Sequence, residues 1–196
     1  MRHMYKLYLF DQYEQLSEQF IVHALQFLPE DRRIRALRYR RTIDRWNCVI
    51  TYLMLQYGLR ECFGITSFEI AFGEYGKPYL LEHPGIHFSI SHCDTGCLVA
   101  VADQPIGVDI QEIRPVSREV VCRVCSPCEL EEFDQSQDKD CVFTKMWTAK
   151  ESYGKKSGMG LQYELQHDCR KKAGVIISVD ERKGYTIGLC LERVTD

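Results

Sequence analysis

Several features that would settle a class at once are missing from this chain. No apolar run approaches the roughly 20 residues that a membrane-spanning helix requires, so no membrane partner is expected. The opening Met1-Arg2-His3-Met4-Tyr5-Lys6 runs into a short strand-like segment with neither an apolar signal region nor a cleavage site, and the expected location is the cytoplasm. No low-complexity tract or long flexible linker separates independent units. A Gly-x-Ser-x-Gly elbow is absent, and the adjacent Ser91 and His92 cannot easily make the base-to-nucleophile hydrogen bond of a Ser-His-Asp hydrolase. An overall excess of positive charge is also lacking: the net charge is -3, and no aromatic stacking set or nucleic-acid fold signature accompanies the basic residues, so no nucleic-acid partner is expected.

What is present is a chain of 196 residues, 45% apolar, enough to bury the core of one large domain or two small lobes. The ten cysteines come without a secretion signal in a chain too large to need disulfides, and they read as reduced, mostly buried thiols. Charge is unevenly spread. Arg32, Arg33, Arg35, Arg38, Arg40, Arg41 and Arg45 crowd one short stretch and make a local anion-binding surface on a mildly acidic protein.

Periodicity predicts a strand over Tyr5 to Phe10, a helix from Tyr13 to Leu28 closed by Pro29, and a long core helix from Arg41 to Cys62 ending near Gly64. Strands follow at Phe68 to Phe72, His87 to Ile90, Cys97 to Ala102 and Ile106 to Ile110, separated by Gly- and Pro-bearing turns. After Pro115 the order repeats: helices at Ser117 to Cys125, Pro127 to Phe133 and Lys139 to Lys156, then strands at Val175 to Val179 and Tyr185 to Leu191. Two stretches of the same helix-to-sheet order predict an α+β protein, a pseudo-twofold pair of helix-plus-antiparallel-sheet lobes over residues 1–108 and 109–196, packed as one compact unit with a cleft between them.

The residues that carry chemistry are few. Asp109, in Gly107-Val108-Asp109-Ile110, follows an apolar strand-like run, where a carboxylate needs a cation or donors to be tolerable. Glu151 and Lys155 in Trp147-Thr148-Ala149-Lys150-Glu151-Ser152 and the residues after it are four apart on a predicted helix and project from one face. Taken alone they are an ordinary exposed ion pair; with Asp109 they suit metal-assisted phosphoryl chemistry. Gly76-Lys77-Pro78 sits in a turn, and Ser89-Ile90-Ser91-His92 ends a strand, with Ser91 and His92 expected at an exposed sheet edge where they can meet an anion. Cys122, Cys125 and Cys128 have a metal-like spacing, but Ser126-Pro127-Cys128-Glu129 reads as a capping box that starts a helix between them, which favours a structural role over a cysteine-ligated metal.

In their order and spacing, Gly76-Lys77-Pro78, Phe88-Ser89-Ile90-Ser91-His92, Gly107-Val108-Asp109-Ile110 and Trp147 to Ser152 with Lys155 resemble the motifs of Sfp-type 4'-phosphopantetheinyl transferases, and the resemblance runs from about Pro29 through Leu161. It implies an enzyme that takes the phosphopantetheine arm of coenzyme A, attaches it to a serine of an apo acyl or peptidyl carrier protein and releases adenosine 3',5'-bisphosphate, with Mg²⁺ required. By the same resemblance, Asp109 and Glu151 are the protein ligands of Mg²⁺, Glu151 draws the proton from the carrier serine, and Lys155 stabilises the leaving group. Lys77, Ser91 and His92 contact coenzyme A phosphates, and Arg40, Arg41 or Arg45 holds its 3'-phosphate. Val116, Val120, Val121 and Val124, rimmed by Arg114, Arg118 and Arg123, lie where the family meets its carrier, core packing being the plain alternative for the valines. Two departures stand out. Gln111 occupies a position that is often acidic in the family, so that its carbonyl oxygen or a water would complete the metal sphere, and Asn47 stands where a basic residue is common. The rival reading is a non-catalytic coenzyme A or nucleotide-binding module with a degraded metal site. A monomer is expected.

Overall fold

The structure, a computed structural model, describes residues 4–192 apart from Ala173. Met1 to His3, on which the expected location partly drew, and the tail of the second expected lobe at 193–196 lie outside the described residues. The elements in chain order are β1 (Tyr5–Phe10), α1 (Glu18–Ala24), α2 (Glu30–Arg38), α3 (Thr42–Phe63), β2 (Ile70–Phe72), β3 (Pro78–Leu80), β4 (His87–His92), β5 (Cys97–Ala102) and β6 (Ile106–Glu112), then α4 (Arg118–Val124), α5 (Pro127–Gln135), α6 (Lys139–Ser157), β7 (Val175–Asp180) and β8 (Tyr185–Leu191). Short 3-10 turns link several of them.

Two three-stranded antiparallel sheets, β1-β5-β4 and β6-β8-β7, carry the fold, and β2-β3 is a separate hairpin. The side-chain alternation of β5 decides the layering. Leu98, Ala100 and Ala102 point one way, into a core shared with Ile106, Val108 and Ile110 of β6 and with Tyr185 and Leu189 of β8. Val99 and Val101 point the other way, onto Leu55 and Leu59 of α3. β6 uses its opposite face for α6. The result is α3, sheet, sheet, α6 in layers, the expected α+β arrangement of helices and antiparallel sheets.

Local chemistry sets the ends of the long helices. Asp138 accepts the Cys141 N–H at the start of α6, and Gly158, at φ +75°, stops it; Gly64, at φ +67°, stops α3 in the same way. The expected capping box is present at the start of α5, where Ser126 and Glu129 exchange hydrogen bonds around Pro127. The helix predicted over Tyr13 to Leu28 is broken: Leu16 is extended, Ser17 caps a new start by accepting the Phe20 N–H, and Leu28 is extended ahead of Pro29. The first part of the arginine-rich stretch forms α2, which carries Arg32, Arg33, Arg35 and Arg38, and Pro78 starts the three-residue strand β3, which the periodicity did not mark. Among the described residues no helix is long and apolar enough to cross a membrane.

Candidate active site

The site is built where α6 lies against β6 and β8, and glycine makes the approach possible. A Cβ at Gly188 would stand 2.7 Å from the Thr148 carbonyl oxygen and 2.9 Å from Ser152 Oγ, while one at Gly107 would press into the Ser152 backbone and stand 2.9 Å from Lys156 Cβ. Gly188 pairs with Asp109 across the two strands. The absence of side chains at these positions therefore seats α6 directly over the Asp109 register, and the 2.6 Å contact between the hydroxyls of Thr148 and Thr186 anchors it there.

Asp109 is fully buried. Its Oδ1 accepts from Lys155 Nζ of α6 at 2.6 Å and from Ser91 Oγ of β4 at 2.6 Å, and Lys155 also donates to Ser91 Oγ at 2.9 Å. Its Oδ2 is buried with no hydrogen-bond partner. Burial first and the Asp109 charge second hold the Glu151 carboxyl above its ordinary range, against the pull of Lys155. A buried acceptor without a donor, beside a second carboxylate that resists ionisation, is an arrangement that a cation would relieve. Among the described residues no group of three or more His, Cys, Asp or Glu side chains could hold a metal, and Asp109 and Glu151 are the two carboxylates that feel each other here. That donor set suits Mg²⁺, which takes few protein carboxylates and fills its octahedron with water and substrate phosphate oxygens. Glu112, one residue past Gln111, is engaged by Arg114 Nε at 2.8 Å.

A cleft of about 240 Å³ opens beside Lys155 and Glu151. One wall is the turn Tyr75 to Pro78 with Phe88 to Ile90 of β4; the other is Glu151, Gly154 and Lys155 with the turn Gly158 to Leu161. Lys77 reaches across and donates to the Lys156 carbonyl at 2.6 Å. Burial, then the neighbouring Lys156, lowers its pKa, so an anion in the cleft would be welcome. A second cavity of about 220 Å³ shares Pro78, Phe88 and Ile90 with the first and is lined by Arg32, Arg35 and His92. His92 is exposed along one edge, yet burial first and Lys155 second lower its pKa.

Most of the predicted residues converge: Glu151, Lys155 and Lys77 line this cleft, His92 lines its extension, and the buried Asp109 and Ser91 join them through their hydrogen bonds with Lys155. Ser91 differs from expectation in being buried, because β4 is covered by β6 at that edge. Gln111 lies two residues beyond Asp109 on the same strand and is partly exposed. The arginines fall into two groups. Arg32 and Arg35 line the second cavity, whereas Arg41 donates to Asp94 at 2.7 Å, Arg45 donates to the Tyr39 carbonyl at 3.3 Å, and Arg40 is exposed. The signal for Arg32 and Arg35 was their three-residue spacing, which puts both on one face of a helix. Asn47 is a buried core residue that accepts from Tyr13 and donates to the Cys93 carbonyl. In the stretch expected to meet the carrier, Val121 and Val124 belong to the core and Val120 is exposed; Arg114, Arg118 and Arg123 each pair with a nearby carboxylate. Cys122 and Cys128 are exposed, and Cys125 is buried with its thiol 3.8 Å from Met146 Sδ.

Residues 105–191 match the model of the 4'-phosphopantetheinyl transferase superfamily. A 4'-phosphopantetheinyl transferase of Bacillus subtilis is 32% identical over 163 residues, 79% of this chain and 71% of the relative. The 4'-phosphopantetheinyl transferase Sfp of Bacillus subtilis strain 168 is 28% identical over 155 residues, 76% and 69% of the two chains. Enterobactin synthase component D of Escherichia coli K12 is 38% identical over a shorter span of 116 residues, 58% of this chain and 52% of that one.

Proposed function

The chain belongs to the 4'-phosphopantetheinyl transferase superfamily, and we propose that it moves the 4'-phosphopantetheine group from coenzyme A to a serine of an apo acyl or peptidyl carrier protein, releasing adenosine 3',5'-bisphosphate. The observation that carries the reading at the level of the site is the unpartnered Oδ2 of Asp109, whose Oδ1 is held by Lys155 beside a cleft lined by Glu151, Lys155 and Lys77.

Each residue then has a task its surroundings suit. Glu151, whose carboxyl is disposed to hold a proton, takes the proton of the carrier serine as the hydroxyl oxygen attacks the phosphorus bearing the pantetheine arm. The bond from that phosphorus to the bridging oxygen breaks, and the electrons leave on the phosphate of adenosine 3',5'-bisphosphate. Lys155 has three donors, of which two are committed to Asp109 and Ser91, so the third is available to the departing phosphate. Lys77 and His92 bind and orient coenzyme A phosphates, with Arg32 and Arg35 beside the second cavity as further cations for the 3'-phosphate. Asp109 and Glu151 would hold Mg²⁺, with Gln111 or water completing the shell, and the chemistry supplied by the bound ion is neutralisation of charge on the breaking pyrophosphate.

The same reading brings a cytoplasmic monomer of two lobes, 1–108 and 109–196, with no nucleic-acid or membrane partner. Incubation with coenzyme A, Mg²⁺ and a panel of apo carriers, read by intact mass, is the test. A gain of one phosphopantetheine unit on at least one carrier is expected. A panel left unmodified, while a known transferase converts the same samples, rejects the activity.

A further inference from the structure

β4 and β6 belong to different sheets, and no backbone ladder joins them. Two hydroxyls on one face of β4 do so instead. Ser89 Oγ accepts the Val108 N–H at 3.0 Å, and one step along the strand Ser91 Oγ donates to Asp109 Oδ1 at 2.6 Å. The direction of the second bond is fixed by its neighbours. An ionised carboxylate can only accept and a lysine ammonium can only donate, so Ser91, lying between Asp109 and Lys155, must spend its single proton on Asp109 and offer a lone pair to Lys155. A phosphate oxygen at this site needs a donor, and Ser91 has no second proton to give. It is also 95% shielded from solvent, at 5% exposure.

We propose that Ser91 is a positioning residue for Asp109 rather than a contact to coenzyme A. With Lys155 it occupies Oδ1, fixes the rotation of the carboxylate and leaves Oδ2 as the one oxygen presented to the cation. The role rests on the transferase reading, since it presumes that Asp109 is a metal ligand. Groups that orient a ligand in this way typically change metal affinity by about 10- to 100-fold when removed.

The test compares Ser91→Ala and Ser91→Thr with the wild type, using the full chain. Mn²⁺ binding in the presence of saturating coenzyme A is followed by electron paramagnetic resonance, and transfer rates are measured against Mg²⁺ and against coenzyme A. Ser91→Ala should weaken Mn²⁺ binding about tenfold or more and raise the Mg²⁺ needed for half-maximal rate in parallel, while the KM for coenzyme A at saturating metal stays within about twofold. Ser91→Thr, which keeps the hydroxyl, should restore the metal response. An unchanged Mn²⁺ isotherm with a raised KM for coenzyme A overturns the proposal, as does a wild type that binds no Mn²⁺ with coenzyme A present. Should Ser91→Ala lose its cooperative thermal transition, Ser91→Cys keeps the volume and replaces the donor with a weak one; normal metal binding in that variant, or loss of folding in it too, also overturns the proposal. A wild type that modifies no carrier but binds Mn²⁺ with coenzyme A, and loses that binding in Ser91→Ala, rejects the transferase activity and upholds the role of Ser91.

Discussion

Gly188 lies opposite Asp109 in the sheet and beneath α6, which makes Gly188→Ala a direct measure of how finely α6 must be seated. The added Cβ would stand 2.7 Å from the Thr148 carbonyl oxygen and 2.8 Å from Thr148 Cγ2. Ordinary contact begins near 3.4 Å, so α6 must lift from the sheet by about 0.7 Å; the carbonyl is part of the helix backbone and cannot rotate away. Overpacking of this kind costs about 1–3 kcal/mol of stability. The effect on rate should be larger than stability alone accounts for, because Lys155 and Glu151 ride on α6 while Asp109 stays with β6. A misplacement of about 1 Å can cost roughly 100-fold, so about tenfold or more in kcat/KM is expected here. Urea denaturation gives the first quantity, and initial rates of carrier modification at saturating Mg²⁺ give the second. Gly85→Ala, where a Cβ meets nothing within 4 Å, is the control and should leave both unchanged. A Gly188→Ala enzyme that is destabilised yet transfers at the wild-type rate would refute the claim that close seating of α6 sets the geometry.

Asp109→Asn and Glu151→Gln should each lower turnover by about 100-fold or more with the fold retained, read by intact mass on a carrier and by circular dichroism; full activity in either removes that carboxylate from the site. Lys77→Ala should raise the KM for coenzyme A more than that for the carrier, since Lys77 faces the cleft from the turn before β3. Because the Glu151 carboxyl is held above its ordinary range and must be ionised to accept a proton, kcat/KM should rise with pH through that elevated value; extra Mg²⁺ favours the carboxylate and should move the acid limb to lower pH, whereas a limb indifferent to Mg²⁺ would separate Glu151 from the ion. Lys150 and Glu129 form a fully buried pair at 2.9 Å, and Lys150→Met, which strands the carboxylate, should cost about 3–5 kcal/mol in urea denaturation; a loss below about 1 kcal/mol would mean that water reaches the pair.

How much of this was legible in the sequence depended on whether a residue's neighbour lay nearby in the chain. α3, α5 and α6 show sustained helical spacing or explicit caps, and β5 and β8 fall within the predicted bounds, because each signal is local. The break at Ser17 was hidden, since apolar spacing runs on either side of a serine that a helix tolerates and a cap prefers. The three-residue β3 is too short to show a period. The identity and rough place of Asp109, Glu151, Lys155 and Lys77 could be read, because two of them share a helix face and the others sit in compact motifs. The demands placed on Gly107 and Gly188 could not, for they come from the approach of α6, remote in sequence from each.

Ser91 shows where local reading misleads. A residue at the end of an edge strand should face solvent, and nothing in Ser89-Ile90-Ser91 alone says otherwise. Its burial arises because the edge of one sheet meets the edge of another without pairing, leaving side chains to make the joins that a ladder would otherwise make. That junction also explains how the two halves of the fold answer to one site. Ser91 comes from the first sheet, Asp109 from the second and Lys155 from the helix covering the second, so a single triangle of hydrogen bonds fails if either sheet shifts against the other. Variants far from the cleft that loosen the contact between the sheets should therefore weaken transfer, whereas those confined to the β2-β3 hairpin should act first on coenzyme A.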